Sequence, residues 1–130
     1  MSKLAILCID DEKIVLDSLR DQLKNNFKDS VILEFAESAS EGIEILNEFK
    51  EDGILVKVII SDWNMPGMTG DEFFLNIAAD FPDSKKILLS GEPDPNVIHK
   101  AKSKEFISIL IQKPWDSKFL IGVVKDYLSE

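Results

Sequence analysis

Asp10 and Asp11 follow one short apolar run of the chain, Asp62 follows another, Ser90 a third and Lys113 a fourth. Brought together, these side chains make up a set suited to phosphoryl transfer. Three neighbouring carboxylates repel one another and raise each other's pKa unless a cation or basic group neutralises them. A magnesium ion answers that need, because it takes a few oxygen ligands, keeps several waters and shares its shell with phosphate. Calcium-loop spacing is absent. Lys113 offers a fixed positive charge and Ser90 a hydroxyl donor, both suited to the oxygens of a phosphoryl group in transit. Asp62, alone at the entrance to its loop, is then the candidate nucleophile, a role carboxylates fill wherever an aspartyl-phosphate forms. Taken singly, each residue has a plainer reading. An Asp before a helix is a cap, Lys-Pro is a turn, and a Ser after a strand is a loop hydroxyl. Their joint placement after four separate apolar runs is what favours chemistry.

Convergence of these residues requires a particular arrangement of elements. Short runs rich in Ile, Leu and Val predict strands at 4–9, 31–36, 56–61, 86–89 and 107–111, separated by longer amphipathic stretches. That alternation implies repeated strand–helix units and a parallel sheet, with strands buried on both faces. Helical periodicity is clear in Val15, Leu19, Leu23 and Phe27, and again in Leu120, Val123, Val124, Tyr127 and Leu128. Ser38 with Glu41, and Thr69 with Glu72, have capping-box spacing, and Asp94-Pro95 reads as a cap followed by a first-turn proline. In an open parallel sheet all strands point one way, so residues beyond their C-terminal ends gather along one edge, where such folds bind ligands.

Composition narrows the field further. The chain has 130 residues, 45% of them hydrophobic, which suits one compact domain, 1–130, and not two. Fifteen basic against twenty-four acidic residues leave a formal net charge of −9, which argues against a direct grip on nucleic acid. Cys8 is the one cysteine and lies inside an apolar run, so it reads as a buried small hydrophobe, with no disulfide within the chain. The first apolar run is too short for a signal-peptide core or a membrane span, which points to a cytoplasmic protein.

Ile9-Asp10-Asp11-Glu12, the run Ile60-Ser61-Asp62-Trp63-Asn64-Met65-Pro66-Gly67-Met68-Thr69-Gly70, Leu88-Leu89-Ser90-Gly91 and Gln112-Lys113-Pro114 together resemble the response-regulator receiver family of two-component signalling. The resemblance covers essentially the whole chain, and the loop after Asp62 is similar to that of chemotaxis-type receivers. It implies a flavodoxin-like, doubly wound α/β fold with five parallel strands in the order 2-1-3-4-5 and five helices. It also implies that Asp62 accepts the phosphoryl group in a magnesium-dependent reaction. By the same resemblance, Asp11 holds magnesium directly, Asp10 through water, and the Asn64 backbone carbonyl completes the set with Asp62. Ser90 and Lys113 bond phosphoryl oxygens, and the Lys113-Pro114 peptide is cis. Asn64 and Glu92 stand where the family tunes access of water to the acyl phosphate, which implies a short-lived phosphorylated state; the alternative for both is a plain solvated loop position. The donor is a histidine kinase or phosphotransfer protein, and the output is a switch that controls a partner protein or an output domain, through the segment 91–104 with the fifth strand and last helix.

The chain departs from the family at Leu110, where an aromatic residue often accompanies switching, and at Gly91, where alanine is more usual and glycine adds backbone freedom. Trp115 after Lys113-Pro114 is a variant found in receivers of larger signalling proteins, suggesting excision from one. His99 lies on the helix expected between the fourth and fifth strands, away from the acidic edge, and reads as a surface residue. A small phosphatase or phosphotransferase with an aspartyl intermediate is the rival reading, weakened because Asn64 stands where such enzymes carry a second Asp. A nucleotide- or flavin-binding protein is disfavoured by Asp10-Asp11-Glu12, which repels phosphate. A degenerate scaffold would lack site residues, and none is missing.

Overall fold

The computed structural model describes residues 3–91, 99 and 106–130. Along the chain run β1 (Leu4–Ile9), α1 (Lys13–Phe27), a 3-10 turn (Lys28–Ser30), β2 (Ile32–Ala36), α2 (Ala39–Glu51) and β3 (Leu55–Asp62). Then come α3 (Gly70–Ile77), β4 (Lys85–Ser90), β5 (Ile109–Gln112) and α4 (Ser117–Leu128). All strand pairings are parallel, in the order β2-β1-β3-β4-β5. The doubly wound flavodoxin-like architecture is therefore as expected. Four α-helices lie among the described residues; the fifth expected helix, with Asp94-Pro95 at its start, falls outside them, save for His99, which is helical and exposed.

Two-residue alternation along each strand divides the core into two layers. On one face Ala5, Leu7, Ile9, Ile59 and Leu88 pack with Leu46 and Phe49 of α2 and with Phe73, Phe74 and Ile77 of α3. On the other, Ile6, Cys8, Val58, Ile60, Ile87, Leu89 and Ile111 pack with Leu16, Leu19 and Leu23 of α1 and with Leu120, Ile121 and Val124 of α4. Each fully buried Leu or Ile contributes about 1.5–3 kcal/mol relative to an exposed one. Cys8 is wholly buried, and burial pushes its thiol well above the ordinary range. The register of β1 on β3 shifts between Ala5 and Ile6, which leaves Lys57 as an extra residue and puts Val56 and Val58 on opposite faces.

Several boundaries and caps differ from expectation. β3 and β4 each extend one residue at both ends, so Asp62 and Ser90 terminate strands instead of following them. β5 spans Ile109–Gln112, not 107–111, and β2, as an edge strand, is only partly buried. Ser38 caps α2 by accepting from the Glu41 N–H. Thr69 occupies the cap position of α3 but does not cap it, because its hydroxyl donates to the nearer Asp71 carboxylate at 2.5 Å.

Candidate functional site

The strand order reverses at the C-terminal ends of β1 and β3, where neighbouring connections leave for opposite faces and open a crevice. Asp10 stands directly after β1 and Asp62 ends β3. Asp10 is fully buried. Its amide donates to the Ala36 carbonyl, and its Oδ1 accepts from the Glu12 N–H at 2.8 Å, an Asx turn that fixes the carboxylate as the chain enters α1. Asp62 is 4% exposed. The loop behind it is held at both ends, by Trp63 N–H on the Leu89 carbonyl and by Gly70 N–H on the Trp63 carbonyl, each at 2.8 Å. Within the loop Gly67 has φ +82°, a left-handed conformation that favours glycine. Gly70 allows helix α3 to start against β3: a Cβ there would run into the Asp62 carbonyl oxygen and stand 2.7 Å from Leu88 Cδ1.

Lys113 reaches this crevice from the far side of the sheet. Its amide donates to the Ser90 carbonyl at 2.7 Å, continuing the β4–β5 pairing beyond Gln112, and the peptide to exposed Pro114 is cis. Its ammonium lies 2.9 Å from Asp10 Oδ2 and 2.9 Å from Asp62 Oδ1. Carboxylate oxygens of Asp10, Asp11, Glu12 and Asp62 lie within 4.8 Å of one another. Four acidic groups therefore face one ammonium, and burial leaves little water to screen Asp10 and Asp62, whereas Asp11 and Glu12 are exposed. Burial lifts the Asp62 carboxyl above its ordinary pKa; the Lys113 hydrogen bond opposes this, and the charges of Asp10 and Asp11 add to it. For Lys113 burial works downward, but the hydrogen bonds it donates to Asp62 and Asp10, together with their charges, outweigh it and hold the ammonium above the ordinary lysine range.

This donor set suits a hard divalent cation. All four groups present oxygen, with no soft sulfur or imidazole ligand among them. Magnesium–oxygen bonds of about 2.1 Å span at most about 4.2 Å across the ion, so the nearest oxygens would bind directly and the more distant through water.

The structure thus brings together Asp10, Asp11, Asp62 and Lys113 as expected. Ser90, buried at the end of β4, is joined to Lys113 through its carbonyl. Asn64 is exposed two residues beyond Asp62, and Gly91 is exposed with Lys113 Cδ 3.9 Å from where its Cβ would be. Leu110 is half-buried in β5 and packs against the α2–α3 layer. Glu92 and most of 91–104 lie outside the described residues. Two features escaped the sequence reading. The Glu12 carboxylate joins the cluster, which the unbroken acidic run 10–12 could have signalled, and Gly70 meets Asp62 across a contact that no local pattern encodes.

Comparison with known proteins agrees with this geometry. The hydrogenase transcriptional regulatory protein HoxA of Cupriavidus necator is 32% identical over 92% of this chain, and that of Bradyrhizobium diazoefficiens is 26% identical over 93%. The chain spans 23% of the length of each. Among solved structures, the signal receiver domain of an HD domain-containing protein from Pseudomonas fluorescens Pf-5 matches with a TM-score of 0.83 and 28% identity, over 98% of this chain and 95% of that one. A two-component response regulator from Cytophaga hutchinsonii matches with a TM-score of 0.81 and 27% identity, over the full length of both chains. The family model for the response regulator receiver domain matches residues 6–125, and the chain belongs to that family.

Proposed function

We propose that this receiver domain takes a phosphoryl group from a phosphohistidine donor onto Asp62. A carboxylate oxygen of Asp62 attacks phosphorus, the phosphorus–nitrogen bond breaks, and its electron pair returns to the donor imidazole, which takes up a proton. The observation that carries this reading is the Lys113 ammonium 2.9 Å from both Asp62 Oδ1 and Asp10 Oδ2, delivered from the opposite side of the sheet. The Asp62 carboxylate is the nucleophile, and Lys113 is placed to meet the charge that develops on the transferring oxygens. Ser90 donates its hydroxyl to one of those oxygens. Asp10, Asp11, Asp62 and the Asn64 carbonyl hold magnesium, which supplies positive charge against the phosphoryl oxygens when bound. Asn64 and Glu92 set how readily water reaches the product.

The domain modifies itself and turns over no substrate, so it is a switch and not an enzyme in the usual sense. Phosphate adds charge and strong acceptors at the end of β3, which biases two conformations through Ser90, Gly91, Lys113 and Pro114. Leu110 replaces the aromatic that often accompanies this bias, so the switch works without aromatic rotation at that position. The donor is a histidine kinase or phosphotransfer protein in the cytoplasm, where such donors are charged. The readout is a partner protein or output domain; the curated relatives are named as transcriptional regulators, and this chain matches less than a quarter of their length. With nine more acidic than basic residues, the domain itself leaves nucleic acid to that output.

Incubation with magnesium and a phosphohistidine donor, or with acetyl phosphate in its place, tests the reading. Intact-mass analysis should show one added phosphoryl group on the parent and none on Asp62→Asn. Equal uptake by the variant would remove Asp62 from the role.

A further inference from the structure

Lys113 lies on the short segment between β5 and α4, which has to hold its ammonium against both Asp10 and Asp62. On the sheet side the Lys113 N–H donates to the Ser90 carbonyl at 2.7 Å, which sets its place beside β4 but not its approach to α1. A cleft of about 320 Å³ opens between α1 and this segment, with Ile14 and Ser18 on one wall and Lys113 and Pro114 on the other. Close packing therefore does not confine the segment on that side. One bond crosses the gap: the Trp115 indole N–H donates to Gln22 Oε1 at 2.8 Å. Among the described residues it is the one hydrogen bond between α1 and residues 113–115. The Gln22 amide is itself oriented, since its Nε2 donates to Ser18 Oγ, one turn earlier, at 3.1 Å. A half-buried indole N–H finds an acceptor wherever the fold provides one. What sets this one apart is the element that supplies the acceptor. Helix α1 begins at Lys13, and the Asx turn from Asp10 to Glu12 joins the buried Asp10 carboxylate to that start. A tie from Trp115 to α1 therefore fixes the backbone of Lys113 relative to the carboxylate its ammonium must meet.

We infer that Trp115 is a positioning residue for Lys113: its hydrogen bond to Gln22 braces the segment 113–115 across the cleft and keeps the ammonium between Asp10 and Asp62. The inference rests on the part proposed above for Lys113 in phosphoryl transfer and adds the residues that hold it there. Two anchors act on opposite sides of the lysine, Ser90 on the sheet and Gln22 on the helix. A lysine has a flexible stem, so its charge is placed well only when its backbone is held. Without the brace the segment drifts across the cleft, and the charge that meets the transferring oxygens is in place in only a fraction of the molecules.

Phosphoryl uptake from acetyl phosphate with magnesium, followed by intact mass over a range of acetyl phosphate concentrations, tests this on two variants. Trp115→Phe keeps an aromatic ring and removes the donor, and Gln22→Leu removes the acceptor. Each should lower the maximal rate about fivefold to tenfold, the shift in population that one net hydrogen bond can hold, with the half-saturating concentration unchanged. The double variant should be no slower than the slower single one, because both changes break the same bond. Parent-like rates in the single variants, or losses that multiply in the double one, would overturn the inference. Heteronuclear NMR of the metal-free proteins separates positioning from mere packing. The Lys113 ammonium protons exchange slowly enough to be seen only while bonded to Asp10 and Asp62, so their signal should be present in the parent and lost in Trp115→Phe. That variant should still melt within about 5 °C of the parent. A Lys113 signal unchanged in the variant, or missing from the parent, would overturn the inference even with uptake slowed. Should Trp115→Phe fail to fold, Gln22→Leu carries both measurements. A parent that takes up no phosphoryl group would remove the reading of Asp62, while the NMR comparison would still decide whether the brace holds Lys113.

Discussion

At the scale of single residues the site is a collection of charges that folding brings together at a cost. Asp62 has its pKa raised by burial, against the Lys113 hydrogen bond and with the help of Asp10 and Asp11. At pH well below the ordinary carboxylate range both folded and unfolded chains carry its proton. As pH rises, the unfolded chain loses that proton first, so stability falls through the window between the ordinary and the raised value. Asp62→Asn abolishes this penalty. In EDTA the variant should melt above the parent at neutral pH, with the gap closing below about pH 4, as followed by circular dichroism. A variant that melts no higher at neutral pH would refute the assignment. Lys113 behaves in the opposite sense. Its raised pKa means that its ammonium stabilises the fold at all pH below the ordinary lysine value, and that this support disappears as pH climbs through the raised one. Lys113→Met should cost about 3 kcal/mol in urea denaturation without metal, since Asp10 and Asp62 lose their shared partner. The same change should tighten magnesium binding, because a competing cation has gone; weaker binding would show that Lys113 supports the ion instead of competing with it.

At the scale of elements, two glycines separate packing from propensity. Gly70→Ala should destabilise the protein by about 1–3 kcal/mol, because the new methyl meets the Asp62 carbonyl and Leu88 where helix α3 starts. It should also impair phosphoryl uptake, since the strand end that carries Asp62 has to shift. Gly122→Ala in α4 meets nothing within 4 Å and should stabilise by up to about 1 kcal/mol through helix propensity. Denaturant midpoints of the two variants check both, and a neutral Gly70→Ala would mean that the α3 start can move freely. The contrast between Ser38 and Thr69 shows how far local sequence carries. Ser38 caps α2 as its spacing implies, whereas Thr69, with equal spacing, gives its hydroxyl to Asp71, a competitor two residues away that the capping-box pattern ignores. The five strands were legible because their apolar runs are bounded by polar residues, and only the ends of pairing moved, as for Asp62 and Ser90, which are fixed by neighbours on adjacent strands. Lys57 was not legible at all, since the register shift that it occupies exists only between β1 and β3. For the site, Asp10, Asp62 and Lys113 could be chosen from their place after apolar runs, but the nearness of the Glu12 carboxylate to them depends on the path of the chain in three dimensions.

For the whole molecule, cation binding would be linked to folding, because the oxygens that would hold the ion come together only in the native sheet. Magnesium at about one hundred times its dissociation constant should stabilise the parent by about 2.7 kcal/mol, and EDTA should reverse the gain. Asp62→Asn should gain much less, so the two melting curves converge as magnesium rises. An equal gain in both would place the ion elsewhere. With its net charge of −9, the domain should leave duplex DNA unshifted in a gel at moderate salt. A salt-sensitive shift would overturn the expectation that nucleic acid is contacted only by an output region.

The hydrogen bond from Lys113 to Asp10 joins residues 103 apart in sequence. Almost the entire sheet lies between them, and β5 leaves the ribosome after the four strands it joins. During synthesis the shorter nascent chain can carry Asp10, Asp11 and Asp62 into solution without the ammonium that partners them. Competence to receive a signal is therefore acquired late and all at once, and a polypeptide cut short before the fifth strand would be silent instead of half-active.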